Sequence, residues 1–238
     1  MDYQVKSSMK QAVLFWSGGK DSAMALYQAQ QNPEIEIKAI ITTLNQEYCR
    51  ISMHGIQEAV LDRQVEQLGI PLIKMWIPNE PENNTYEEVL LNTCRQLKSD
   101  GIEIVIFGDI FLEDLRQYRE NLLKPLGLAA YFPLWKRSTD QLMKEFLSLG
   151  FQTVTCCIST AMLDKSWLGK QIDEQFLSDL PQGVDPCGEN GEFHTFCYAG
   201  PIFKKKIAYQ TGEEKFSPLL IKTSEQEHIT GFWYIDIL

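Results

Sequence analysis

"VLFWSGGKDSAMALYQA", residues 13–29, changes character twice. Ala12–Trp16 is a short, unbroken apolar run, the pattern of a strand buried on both faces. From Ala23 onward, Ala23, Leu26 and Tyr27 recur at helical spacing. Between them stand Ser17, Gly18, Gly19, Lys20, Asp21 and Ser22. This places the polar residues at the carboxyl end of a strand and the amino end of a helix. Free amides and the helix dipole there favour an anion. Gly18 and Gly19 can turn successive N–H groups inward with no Cβ in the way. Ser17 and Ser22 add hydroxyl donors, and Lys20 adds a positive charge. An ordinary solvated turn would need neither the second glycine nor the lysine. The spacing is neither G-x-x-x-x-G-K-[ST] nor G-x-G-x-x-G.

Working outward, strand and helix patterns alternate. Residues 35–44 ("IEIKAIITTL") predict a second strand, and 54–69 a helix with Ile56, Val60, Leu61 and Leu68 on one face and Gly69 as its stop. Residues 70–77 predict a third strand. Thr85 and Glu88 are spaced as a capping box for a helix ending near Gly101. Residues 102–110 ("IEIVIFGDI") predict a fourth strand. This rhythm is that of a parallel sheet flanked by helices, with right-handed crossovers. After about residue 130 it breaks. A helix is expected over 138–150, capped by Ser138 with Gln141, then a strand at 151–158 and a second helix over 168–180. Two strands joined around Thr211–Gly212 and a closing strand at 231–238 complete the pattern. The expected architecture is α/β, with an N-terminal domain at 1–130 and a smaller C-terminal α+β domain at 131–238.

The 238 residues are 44% hydrophobic, enough for a sizeable core, and no apolar run is long enough to span a bilayer. The start lacks an apolar signal core. The formal net charge of −10 argues against nucleic acid as the main partner. No C-x-x-C pair occurs among the six cysteines, which read as reduced thiols of a cytoplasmic protein.

The S-G-G-x-D-S stretch resembles the loop of the ATP pyrophosphatases within the adenine nucleotide α-hydrolase-like superfamily. "HGIQEAVLDRQVEQLGIPL", "IFGDIFLEDLRQYRENLLKPLGL", "PLW", "LGKQID" and "CGENGEFHTF" follow in the order seen in diphthine–ammonia ligases, across most of residues 12–203. The resemblance implies a Rossmann-like fold and an ATP-dependent amidation. The carboxylate of diphthine, a modified histidine on elongation factor 2, would become an acyl-adenylate, releasing pyrophosphate. Ammonia would then displace AMP. Ser17, Gly18, Gly19, Lys20, Asp21 and Ser22 would hold the phosphates, with Asp21 on Mg²⁺. Ile41, Thr42 and Gly108, at strand ends, would lie beside the adenine.

Asp109 is a candidate for metal or ribose, with helix capping as its structural alternative. His54 is a nucleotide-site candidate that could equally serve packing. Glu189, Glu192 and His194 sit together in "CGENGEFHT" and are candidates for ammonium recognition and proton removal, against the plainer reading of a polar turn. Lys20, Asp109, Glu189, Glu192 and His194 form the expected catalytic set. The division of labour expected is adenylation by the first half and acceptor chemistry by the second. No motif identifies the tail after about residue 205. Two other readings stay open: tRNA thiolation or another carboxylate with the same loop, and a nucleotide-binding sensor. A source without diphthine would require a different carboxylate. A homodimer is left open.

Overall fold

The computed structural model describes residues 9–78, 83–222 and 227–238. The opening apolar run forms β1 (Lys10–Phe15), and the helix pattern becomes α1 (Lys20–Gln30). Then come β2 (Ile35–Asn45), a two-residue β3 (Arg50–Ile51), α2 (Glu58–Leu68), β4 (Leu72–Ile77) and α3 (Asn83–Ser99). Next are β5 (Ile104–Ile106), α4 (Glu113–Leu123) and β6 (Ala129–Tyr131). β1 pairs in parallel with β2 and β5, β2 with β4, and β5 with β6. Only β3 is antiparallel, on the end of β2. The parallel strands therefore run β4-β2-β1-β5-β6. The winding reverses at β1, whose neighbours leave in opposite directions along the chain. In such sheets the ligand crevice lies beyond the strands' carboxyl ends at that reversal, where Ser17–Ser22 begins.

The second region is built from α5 (Thr139–Ser148), β7 (Gln152–Ser159), α6 (Glu174–Asp179), β8 (Phe193–Ala199), β9 (Thr211–Lys222) and β10 (Glu227–Ile237). Its sheet is antiparallel, in the order β8-β7-β10-β9. One face of the first sheet, carrying Val13, Ile41 and Val105, packs under Leu90, Cys94 and Leu97 of α3. The other face joins α1, α2 and the second sheet in one continuous core. The fold is thus a Rossmann-like α/β unit with a smaller, mainly antiparallel one packed on it.

Several boundaries differ from expectation. α3 begins at Asn83, so Thr85 lies within its first turn and is not its cap. β5 is three residues long, because the chain beyond it turns to bring Gly108 against α1. The helix expected over 168–180 shrinks to α6, capped by Asp173 through a 2.8 Å bond from Phe176 N–H. Residues 170–172 run extended instead: Thr155 N–H donates to Lys170 O and Ile172 N–H to Thr153 O. Thr211 and Gly212 open one continuous strand, so no turn falls there. β3, α4 and β6 had no counterpart in the sequence reading. Ser138 does cap α5, accepting from Gln141 N–H, and Gly69 ends α2 in the left-handed region at φ 68°. Among the described residues no helix is long and apolar enough to cross a membrane.

Candidate active site

Gly19 caps α1 without a side-chain bond, which leaves the helix's first amides to other partners. Lys20 N–H donates to Thr195 Oγ1 of β8 at 3.0 Å, and Gly19 N–H to Ser17 Oγ at 3.4 Å. Cys197 N–H donates to Gly18 O at 2.8 Å. Gln64 of α2 completes the hold: its Nε2 donates to both Gly18 O (2.9 Å) and Cys197 O (2.8 Å). Gly18 sits at φ +81°, where a Cβ would fall 2.8 Å from Gln64 Oε1. A Cβ on Gly19 would fall 2.6 Å from the His54 ring and 3.0 Å from Thr195 O. Both glycines are thus required by close approach.

A cavity of about 520 Å³ opens beside this loop. Ser17, Asp21 and Ser22 line it from the loop, Gly108, Asp109 and Arg119 from beyond β5 and from α4. His54 lines it from the turn after β3, and Glu189 and His194 from the second region. The two motifs expected to serve separate halves therefore face one pocket. Phe15 and Phe107, stacked at 5.0 Å, supply apolar wall. Ile41 and Thr42 do not reach it. They are fully buried, with Ile41 O accepting from Trp16 N–H and Thr42 Oγ1 donating to Trp16 O, and so fix where β1 ends. Their neighbour Thr43 is the lining residue. Gly108 carries no Cβ into the backbone of Asp21, which would lie 3.1 Å away.

The charges are arranged unevenly. Lys20 is buried and turned away from the large cavity. Its Nζ meets Asp21 at 2.8 and 3.0 Å and lies 5.3 Å over the Phe193 ring, beside a cavity of only about 10 Å³. Burial lowers the Lys20 pKa, but Asp21 and nearby groups outweigh it and hold the ammonium protonated. Burial raises Asp21, helped by Asp185 and Asp109 and opposed by Lys20. Asp109 pairs with Arg119, Nη2 donating to Oδ1 at 3.1 Å. The 2.9 Å contact of Nε with Oδ2 is an ion pair, but not an aligned hydrogen bond. Asp109 does not cap α4, whose cap is Leu112.

Glu189 and Glu192 take opposite roles in the geometry. Glu189 Oε1 accepts Ile110 N–H at 2.7 Å while the residue lines the cavity. Burial pushes its carboxyl up to about 7, with Asp21 adding to the rise. Glu192 is 2% exposed and turned into its own loop. It accepts from Asp185 N–H, Asn190 N–H and Asn190 Nδ2, each at 3.0 Å. His54 and His194 lie with ring centroids 4.7 Å apart. Burial takes His54 down to about 4 and His194 well below its usual value, so both are neutral near pH 7. His54 Nδ1 meets Thr195 O at 3.0 Å, and His194 Nε2 is buried with no hydrogen-bond partner among the described residues.

Residues 9–130 match the family described as "Diphthamide synthase N-terminal domain", and residues 138–225 match "Diphthamide synthase C-terminal domain". The chain belongs to the diphthamide synthase family. A diphthine–ammonia ligase of Bos taurus is 28% identical over 220 residues, covering 83% of this chain and 82% of the relative. The Homo sapiens diphthine–ammonia ligase has the same identity and coverage. One from Schizosaccharomyces pombe is 29% identical over 110 residues, 44% of this chain and 18% of the relative.

In this diphthamide synthase family member the N-terminal match supplies Ser17–Ser22, Asp109 and Arg119, and the C-terminal match supplies Glu189 and His194. Three residues that build the site escaped the sequence reading. Gln64 is a polar residue on the buried stripe of Val60, Leu61 and Leu68, and that break in the pattern is the signal that could have found it. Thr195 follows His194 directly and holds both Lys20 and His54. Arg119 lies on α4, a helix the reading did not draw.

Proposed function

We propose that this chain is an ATP-dependent ligase that amidates the diphthine carboxylate with ammonia to give diphthamide, through an acyl-adenylate with AMP and pyrophosphate as the other products. The observation that carries this reading is the single cavity shared by the S-G-G-K-D-S loop and Glu189, in a member of this family. A carboxylate repels a nucleophile by its charge. Adenylation removes that charge and supplies a leaving group, and the protein aligns the partners. Ser17, Ser22 and the start of α1 would face the phosphates.

Asp21 and Asp109 offer hard carboxylate oxygens on one cavity. No group of three His, Cys, Asp or Glu among the described residues could hold a metal by itself. Mg²⁺ shared with phosphate oxygens would need Asp21 released from Lys20 and Asp109 released from Arg119. Mg²⁺ would supply charge neutralisation for the departing pyrophosphate. Lys20 reaches a phosphate only by leaving Asp21, and that exchange would free the Asp21 carboxylate. Ammonium must lose a proton before it attacks. Glu189, with a pKa near 7, attracts the cation and is the better matched acceptor. His54 and His194 are too weakly basic and serve as a neutral polar wall. Glu192 positions the loop that carries Glu189.

The test is turnover with ATP, ammonium and elongation factor 2 bearing diphthine, with products separated by chromatography. AMP, pyrophosphate and amide in equal amounts are expected. ADP as the nucleotide product overturns the reading.

A further inference from the structure

We propose that a groove between the turn after β3 and the β9–β10 pair holds the polypeptide segment that carries the acceptor carboxylate, with Arg50, Tyr234 and Asp236 fixing its wall. The inference rests on the ligase reading above and assigns the acceptor a place.

Two cavities of nearly equal size meet at Ile51, Ser52 and Met53: the pocket of about 520 Å³ and a second of about 510 Å³. A cavity of that volume encloses one ligand of ordinary small-molecule size. A ligation with ATP brings a second large substrate, which needs space of its own opening onto the first. The second cavity provides it. Glu213, Lys215 and Ser217 of β9 line it from one strand face. That face continues to Leu219, 48% exposed. Alternate side chains on a strand make this row about 20 Å long, the reach of an extended peptide and more than a free amino acid needs. Met53, 60% exposed, stands where the two cavities join, and Tyr48, 54% exposed, flanks the outer one.

The groove is also tied to the chemistry. Arg50 Nη1 donates to Asp236 Oδ1 at 2.6 Å and to Gly55 O at 2.8 Å. Gly55 sits at φ +70°, and a Cβ there would fall 2.9 Å from the Tyr234 ring. The next residue back is His54, in the wall of the first pocket. One turn thus forms part of both cavities, and β10 braces it. Tyr234 and Asp236 also line the second cavity, so the residues that brace the turn belong to the groove's own wall.

The test measures amidation of elongation factor 2 carrying diphthine at saturating ATP and ammonium, with ATP affinity measured separately by calorimetry. Ser217→Trp fills the groove, and Lys215→Glu reverses one exposed charge without adding bulk. Each is expected to raise KM for the acceptor protein tenfold or more, with unchanged ATP affinity. Asp236→Asn, which weakens the brace, is expected to raise that KM and lower kcat several-fold. Unchanged acceptor KM in Ser217→Trp and Lys215→Glu overturns the groove assignment alone. A parallel loss of ATP affinity overturns it too, by making the groove part of the nucleotide site. No amide from the wild-type protein overturns the ligase reading and this inference with it.

Discussion

Two glycine-rich loops border the same pocket and are held in opposite ways. Ser17–Ser22 is gripped from outside, by Gln64 of α2 and by the main chain and Thr195 of β8. Asp185–Glu192 is gripped from inside: Glu192 binds Asp185 and Asn190, and Asp185 Oδ2 accepts from Cys187 and Glu189 N–H. The outer grip takes main-chain atoms, so Ser17 and Ser22, although bonded to each other and to Gly19, still line the cavity. A loop held from inside consumes acids in holding itself, so only one of its two glutamates is left facing the cavity.

The sharpest way to break this contrast is Gln64→Leu. It removes three buried hydrogen bonds, including one from Trp16 Nε1. About 3 kcal/mol of stability should be lost in urea unfolding, with ATP binding weakened as the outer grip fails. Unchanged ATP affinity would show that the loop holds itself. Glu189→Gln comes next. Amide formation should fall about a hundredfold, equivalent to about 2.7 kcal/mol, with ATP affinity intact in single-turnover and binding assays. The pH profile sharpens the same point: amide formation should climb as pH rises through about 7, where Glu189 loses its proton. The fold binds that proton more tightly than the unfolded chain does. The group's contribution to stability is therefore greatest below 4.5 and declines as pH rises through about 7.

Glu192→Gln should cost about 2 kcal/mol of stability, because a donor replaces one acceptor in a ring of donors. ATP affinity should hold, while amide formation falls by less than in Glu189→Gln. A larger catalytic loss at position 192 than at 189 would reverse the roles assigned here. Lys20→Ala should weaken ATP affinity about tenfold or more by calorimetry, and it leaves the Asp21 carboxylate without its ion-pair partner.

The parallel sheet was readable from β1, where Ala12–Leu14 is an unbroken apolar run buried on both faces, and from β2 and β4, whose Ile-rich stretches are interrupted by Glu36, Lys38 and Lys74 without being hidden. The motif loop was readable for its glycines and lysine. What escaped has common causes. β3 and β6 are too short to show a period. α6 was overdrawn because Thr153 and Thr155, remote in sequence, take the backbone of 170–172 into extended pairing. β5 is shorter than expected because only Ile104–Ile106 pairs, while Gly108 turns against α1 and Ile110 N–H goes to Glu189. Direction within the site was also hidden. Nothing in "SGGKDS" says that Lys20 points inward to Asp21, and nothing in "GENGEF" says which glutamate faces out.

The stitch between Gly18 O and Cys197 N–H is made by main-chain atoms on both sides. Main-chain donors and acceptors are supplied by almost every residue type. Substitutions can therefore accumulate on either side of that seam without erasing it, provided that position 18 keeps its unusual backbone angle. The fixed quantity is the path of the chain, and the lettering along it is free to drift. Relatives sharing little more than a quarter of their residues with this chain can on this account keep the same seam between the two sheets, because its survival is decided by backbone shape.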